Sequence, residues 1–278
     1  MPKYASFLGL GIAGNFALHL DQAGEAEDFK DIITEDEAAP KGMFPFYLPN
    51  SNPFAKEILS IYPLSSNTIK LPLDDVNVQA EPEVGLICNF EYENDKLSKI
   101  IPTHFGAYND CSIRIAGAEK ISNKKNWGES SKGISDTLFE IDKFENGGIM
   151  DNFSIASFLI RDGEVHPYGE DVELNGYSYF YDKLTSWILN QINTQKDFGP
   201  LEELSKYILA SRNPTQAIIS IGATRYTPYG ESTFLNSNDE IIIVVYNHKT
   251  SSLDEVVSSI KNSSFDNLKM SVLSQKVI

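Results

Sequence analysis

Short apolar runs rich in β-branched residues recur along most of this chain, and they constrain it to a fold dominated by sheet. Val84-Gly85-Leu86-Ile87-Cys88, Ala217-Ile218-Ile219-Ser220-Ile221 and Glu240-Ile241-Ile242-Ile243-Val244-Val245-Tyr246 are the clearest. Ala5 to Leu10 also reads as a strand. Strand signal fills 76–115 and 137–162, with a hairpin at Arg161-Asp162-Gly163-Glu164, and a last strand lies near Met270 to Leu273. Helical spacing is confined to Asn15–Gln22, closing near Gly24, to Tyr181, Leu184, Ile188 and Ile192, to about Leu201–Leu209, and to about Leu253–Ile260. No repeat or flexible linker divides these runs. The expectation is one α+β domain over 1–278, mainly β, with a mixed sheet and peripheral helices.

Two acidic clusters sit at the ends of strand runs. Glu81-Pro82-Glu83 leads straight into Val84–Cys88, and Asn109-Asp110 ends the run from Thr103 to Tyr108. Residues two apart on a strand share a face, so Glu81 and Glu83 can grip one hard cation, with Asp110 as a third oxygen ligand. The bland alternative is a solvated acidic strand face. His104 shares Asp110's face by parity and is a further candidate beside the acids. Residues 39–66 carry Pro40, Pro45, Pro49, Pro53 and Pro63 among aromatic residues, which predicts an extended segment, packed by its rings, that walls a cavity.

The charge excludes a function class. With 23 Lys+Arg against 39 Asp+Glu, the formal charge of −16 repels phosphate backbones, so nucleic acid is not an expected partner. No window approaches the length of apolar sequence that spans a membrane. Cys88 and Cys111 lie in apolar runs and are too few for a disulfide framework, so they read as buried thiols of a cytoplasmic protein.

Gly9-Leu10-Gly11-Ile12-Ala13-Gly14 matches the dinucleotide pattern G-x-G-x-x-G literally. A nucleotide unit needs a second strand ending in an acid about twenty residues on. No apolar run of strand length ends at Asp28 or Asp31, so the glycines are read as allowing close backbone packing, and a nucleotide-binding oxidoreductase stays a minor alternative.

Taken in order, the motifs resemble those of the fumarylacetoacetase (fumarylacetoacetate hydrolase) superfamily over nearly the whole chain. Ala13-Gly14-Asn15-Phe16-Ala17-Leu18-His19-Leu20-Asp21-Gln22 stands where that family has G-x-N-Y-x-x-H-x-x-E, and Pro40 to Tyr47 is similar to its P-x-x-P-F-x-F loop. Glu81-Pro82-Glu83 matches the E-x-E that opens a strand. Asn109-Asp110-Cys111-Ser112-Ile113-Arg114 matches N-D-x-S-x-R-D, with Ile115 in place of the last acid. Trp127 and Ser131-Lys132-Gly133-Ile134 resemble the tryptophan and lysine element. Gly222-Ala223-Thr224-Arg225 and Asn238-Asp239 resemble its late glycine turns.

The resemblance implies a β-roll, with residues 1–66 forming an N-terminal helix and proline-rich wall packed on a catalytic core of 67–278. It implies Mg²⁺ or Mn²⁺, with Ca²⁺ as a further option, on Glu81, Glu83 and Asp110, a homodimer, and a small oxo-acid substrate. The implied catalytic residues are His19, Gln22 and Lys132, and Arg114, Gly222 and Thr224 are implied at the substrate, with Arg114 also fitted to brace the acids. Two departures, Gln22 and Ile115, bear on the reaction. Gln22 stands where the family pairs its histidine with an acid, and neither Asp21 nor Glu25 replaces it on a continuous helix, because neither shares the face of His19. This motivates an opposing expectation, a non-catalytic metabolite- or metal-binding dimer module.

Overall fold

The computed structural model describes residues 2–34, 36–50, 57–265 and 269–278. Pro53 lies outside them. Strand β1 (Leu8–Ala13) is followed by the one-turn helix α1 (His19–Gln22), β2 (Gly42–Tyr47), β3 (Leu64–Ser65) and β4 (Thr68–Ile69). Then β5 (Val78–Gln79) leads into a long hairpin, β6 (Pro82–Glu93) and β7 (Lys96–Asn109), which continues in β8 (Ser112–Ile113). Next come α2 (Ser122–Lys125), β9 (Lys132–Ile134), β10 (Phe139–Glu140) and a second hairpin, β11 (Phe153–Arg161) with β12 (Glu164–Glu173). The chain ends through α3 (Tyr181–Thr194), α4 (Leu204–Ala210), β13 (Gln216–Ser220), α5 (Pro228–Glu231), β14 (Glu240–Asn247), α6 (Leu253–Lys261) and β15 (Met270–Val277).

Two sheets pack face to face, as a mixed, mainly β α+β fold. The larger runs β2-β1-β13-β6-β7-β9-β3 with β10 beside β7, and the smaller runs β12-β11-β14-β15-β4. Val84, Leu86 and Phe105 of the first sheet share one core with Ile155, Ile243 and Leu273 of the second. Leu184, Ile188 and Ile192 of α3 join that core, and Val256 and Ile260 of α6 cover the smaller sheet's outer face with Ile242 and Val244. Both hairpins turn on paired left-handed residues, Asn94-Asp95 (φ 51° and 61°) and Asp162-Gly163 (φ 55° and 81°), the conformation that matches strand twist.

From the N-terminal part of the chain, β1, β2 and β3 are strands of the larger sheet. β1 runs parallel to β13 and antiparallel to β2. The strand expected at Ala5–Leu10 therefore starts later, and Gly9 and Gly11 are inside it. A Cβ on Gly9 would fall 2.3 Å from the Phe46 ring, and one on Gly11 2.3 Å from the Phe44 ring. The glycines let β2 lay its phenylalanines flat on β1, and the four-residue α1 that follows makes no nucleotide unit. In the proline-rich segment β2 is a fully buried strand whose Phe44 walls a small cavity, and Glu57–Ser60 form one 3-10 turn. Between 137 and 152 strand gives way to the two-residue β10, a loop and a 3-10 turn. The helix expected over Asn15–Gln22 is a single turn. Asn15 spends its side chain on the backbone of Tyr179 and Ile221, and Leu18 at φ 69° breaks the helical path.

Candidate metal centre

The β6–β7 hairpin brings the two acidic clusters together. Pairing of Pro82 with Asn109 and of Glu83 with Tyr108 leaves Glu81 and Asp110 side by side where the hairpin opens. The Asp110 N–H donates to the Glu81 carbonyl (3.0 Å), and the Glu81 N–H to Asn109 Oδ1 (3.2 Å). β5 and β8 then resume the pairing beyond the acids. Glu81, Glu83 and Asp110 are all buried, and each offers an oxygen within 4.8 Å of the others.

Buried carboxylates need compensation, and four cations supply it. Lys132, at the head of β9 and 0% exposed, ion-pairs with Asp110 Oδ1. Lys125, the last residue of α2, places Nζ 2.5 Å from Glu81 Oε2 and 2.7 Å from Asp110 Oδ2. Arg114 Nη1 lies 2.8 Å from Glu81 Oε1 and 2.7 Å from Glu25 Oε1, and Lys124 Nζ lies 2.9 Å from Glu25 and 3.0 Å from Asp28. The result is one chain of alternating sign, Asp28, Lys124, Glu25, Arg114, Glu81, Lys125, Asp110, Lys132.

Charge states follow from these neighbours. Burial opposes ionisation of Glu81, but Lys125 and Arg114 outweigh it and hold the carboxyl well below the usual range. Burial, with Asp110 and Glu81 nearby, pushes Glu83 well above that range, so it keeps a proton while no metal compensates it. Asp110 and Glu81 overcome burial at Lys125 and raise it, whereas Lys132 is lowered by burial, in part because Lys125 lies close.

A divalent cation fits this donor set. Three carboxylates are hard ligands, and Glu81 Oε1 and Asp110 Oδ2 are buried without a hydrogen-bond partner among the described residues, although each has a cation within ion-pair range. Glu83 Oε2 accepts from the Gly222 N–H at 2.8 Å, which orients it.

The other expected site residues are placed unevenly. His19 and Glu81 line a small, nearly closed cavity together with Glu25, Phe44 and Lys125. Both ring nitrogens of His19 lack a hydrogen-bond partner among the described residues. No hydrogen bond joins Gln22 to His19 among the described residues. Its amide clasps the Tyr226 backbone, accepting from N–H at 2.9 Å and donating to the carbonyl at 3.1 Å. Glu25, set aside because it falls off the face of His19 on a continuous helix, returns to the site because α1 stops at Gln22 and Gly24 turns the chain at φ 68°. Lys124 and Lys125 are the other members the sequence reading missed.

Arg114 uses Nε on Gln79 and Nη2 on the Tyr226 hydroxyl besides its two acids. Thr224 is bound to the Pro82 carbonyl through its N–H. Arg114, Gly222 and Thr224 thus brace the centre and do not line the cavity. His104 is exposed, its Nδ1 3.1 Å from Thr103 Oγ1, and takes no part. Trp127 packs on the core and donates to the Lys70 carbonyl (2.8 Å), and Asp239 pairs with Arg161 away from the acids.

Burial lowers His19 to about 4. The unfolded imidazole titrates near 6.5, so below that pH the unfolded state takes up a proton that the folded state refuses, and stability is lost as pH falls from about 6.5 toward 4. Wild type is expected to lose about 1–3 kcal/mol more than His19→Gln between about pH 7 and 4.5, read by urea unfolding. Parallel losses in both proteins would show that His19 takes up its proton without penalty.

Two packed sheets, with carboxylates held at the open end of a central hairpin, define a protein of the fumarylacetoacetate hydrolase fold. Three solved structures share it across 98% of this chain. A protein of the fumarylacetoacetate hydrolase family from Yersinia pestis CO92 matches at 13% identity and TM-score 0.50 over 93% of its own length. A 2-keto-3-deoxy-D-arabinonate dehydratase complexed with magnesium and 2,5-dioxopentanoate matches at 15% and 0.53 over 73%, and 5-carboxymethyl-2-hydroxymuconate delta-isomerase from Mycobacterium smegmatis at 14% and 0.52 over 78%. The chain belongs to the family described as a family of unknown function (DUF5718), whose model matches residues 25–277. Comparison with curated proteins finds no match. Among the described residues no helix is long and apolar enough to cross a membrane.

Proposed function

We propose that this protein is a divalent-metal-dependent enzyme acting on a small oxo acid, by C–C hydrolysis of an acylpyruvate-like substrate or by a related decarboxylation or isomerisation through an enolate. The observation that carries this reading is the convergence of Glu81, Glu83 and Asp110 in one buried site, each with an oxygen within 4.8 Å of the others. When bound, Mg²⁺ or Mn²⁺ supplies Lewis-acid polarisation of the substrate's oxo-carboxylate oxygens. Lys132 is the donor aimed at developing negative charge on those oxygens. His19, uncharged at neutral pH and with no hydrogen-bond partner for its ring nitrogens among the described residues, is the group free to accept a proton, with Glu25 in the same cavity in place of the expected acid. Gln22, Arg114, Gly222 and Thr224 hold these groups in position. The family resemblance adds a homodimer, and the two free buried thiols accord with a cytoplasmic setting.

A second reading, a non-catalytic binding module, is favoured by Lys125 standing between two of the three carboxylates and by the near closure of the cavity. Thermal unfolding of metal-stripped protein tests the metal site. Mn²⁺ is expected to raise the midpoint, and oxalate, as an enolate mimic, to raise it further, by mass action. An unchanged midpoint sinks the metal site. Turnover of acylpyruvates or oxaloacetate then separates enzyme from module, since a module binds oxalate with metal and consumes neither.

A further inference from the structure

Lys125 lies outside every stretch that carries the family resemblance, yet it is the most central cation of the site. Its ammonium bridges Glu81 Oε2 and Asp110 Oδ2, one oxygen from each of two acids of the triad, and rests 5.4 Å from the centre of the Phe44 ring. Its side chain is 4% exposed, so no water shell competes for it. The backbone beneath is pinned, because Asn126 Nδ2 donates to the carbonyls of Phe46 (2.8 Å), Ile58 (3.2 Å) and Ile61 (3.2 Å). The lysine is therefore a cation on a tether, with only its side chain free to move. Beside it lies the small cavity shared with Glu25 and His19, which offers the ammonium a carboxylate and a neutral ring as alternative neighbours.

The charge count gives the position a consequence. Four cations, Lys124, Lys125, Lys132 and Arg114, are ion-paired with four acids, Asp28, Glu25, Glu81 and Asp110, so every acid of the row already has a cation beside it. A divalent ion added to this set meets Lys125 at close range on two of the same carboxylates.

We propose that Lys125 is the built-in cation of the carboxylate triad: its ammonium holds Glu81 and Asp110 together while no metal is bound, and a divalent ion enters by displacing it toward Glu25. The inference rests on the metal-site reading above. Lys125 thereby sets the metal affinity and frees folding from any need for metal. It is a positioning residue, acting through Glu81 and Asp110.

The test uses the full-length chain, stripped with EDTA, as wild type, Lys125→Met, Lys125→Arg and Glu83→Gln, with Mn²⁺ affinity read by calorimetry and stability by thermal unfolding. Lys125→Met is expected to bind Mn²⁺ about tenfold more tightly than wild type or better, to unfold at a lower temperature without metal, and to recover when Mn²⁺ is added. Lys125→Arg keeps a cation, so it is expected to fold without metal and to gain no affinity. Binding by Lys125→Met no tighter than wild type overturns the role of Lys125 while the metal site stands. Absence of binding in wild type and Lys125→Met alike removes both. Should Lys125→Met fail to fold even with Mn²⁺, Lys125→Arg decides: a tenfold gain there overturns the proposal, and an unchanged or weaker affinity sustains it.

Discussion

Asp110→Ala is expected to lower stability by about 3–5 kcal/mol, the range for removing one partner of a buried ion pair and stranding the other. Here one substitution strands one lysine and loosens the hold on another. Lys132 has Asp110 as its ion-pair partner and no exposed surface, and Lys125 loses one of its two carboxylates. Water cannot reach the Lys132 ammonium, so it must deprotonate or pull the backbone open, and both are unfavourable. Urea unfolding of wild type and variant checks this. A loss below about 1 kcal/mol would mean that the lysines find other partners at little cost, and would undo the account of how the centre is held together.

Glu83→Gln is expected to do the reverse: little to stability, nearly everything to metal. Burial and the neighbouring acids already keep a proton on Glu83 in the metal-free protein, and glutamine imitates that protonated carboxyl in shape and charge. Its amide oxygen can still accept from the Gly222 N–H. Metal-free stability is therefore expected within about 1 kcal/mol of wild type. A bound cation, however, requires the ionised form, so the Mn²⁺-dependent rise in melting temperature is expected to vanish and turnover to fall at least about a hundredfold. A variant that still responds to Mn²⁺ like wild type would place the ion elsewhere.

The parts of this centre that depend on strand periodicity were legible from sequence. Glu81 and Glu83 are two apart at the head of a strand, and Asp110 follows the strand that pairs with it, so an antiparallel hairpin brings them together. Lys132 came from motif order alone. Glu25, Lys124 and Lys125 were hidden for a different reason. Their places depend on where a helix stops: α1 ends after one turn, and α2 is a single turn whose consecutive lysines both turn inward. Nothing in four residues of local sequence marks such an end. The pairing of β1 with β13 was equally out of reach, since it joins Leu8 to Ala217 and rests on no local signal. The glycines of β1 were rightly read as close-packing residues, but what packs there, Phe44 and Phe46, emerged only from the register.

The alternating row from Asp28 to Lys132 has a consequence for how such a chain can diverge. A solvated charge can drift to almost anything, one substitution at a time. In a largely buried row of eight, losing a single member leaves its neighbours short of a partner, so sequences separated by one change are poorly connected through folded intermediates. Passage from one viable centre to another is easier in compensated pairs, Lys124 with Glu25 or Lys125 with one of its acids. Heredity in this centre acts on couples, and the row is inherited or rebuilt nearly as one character.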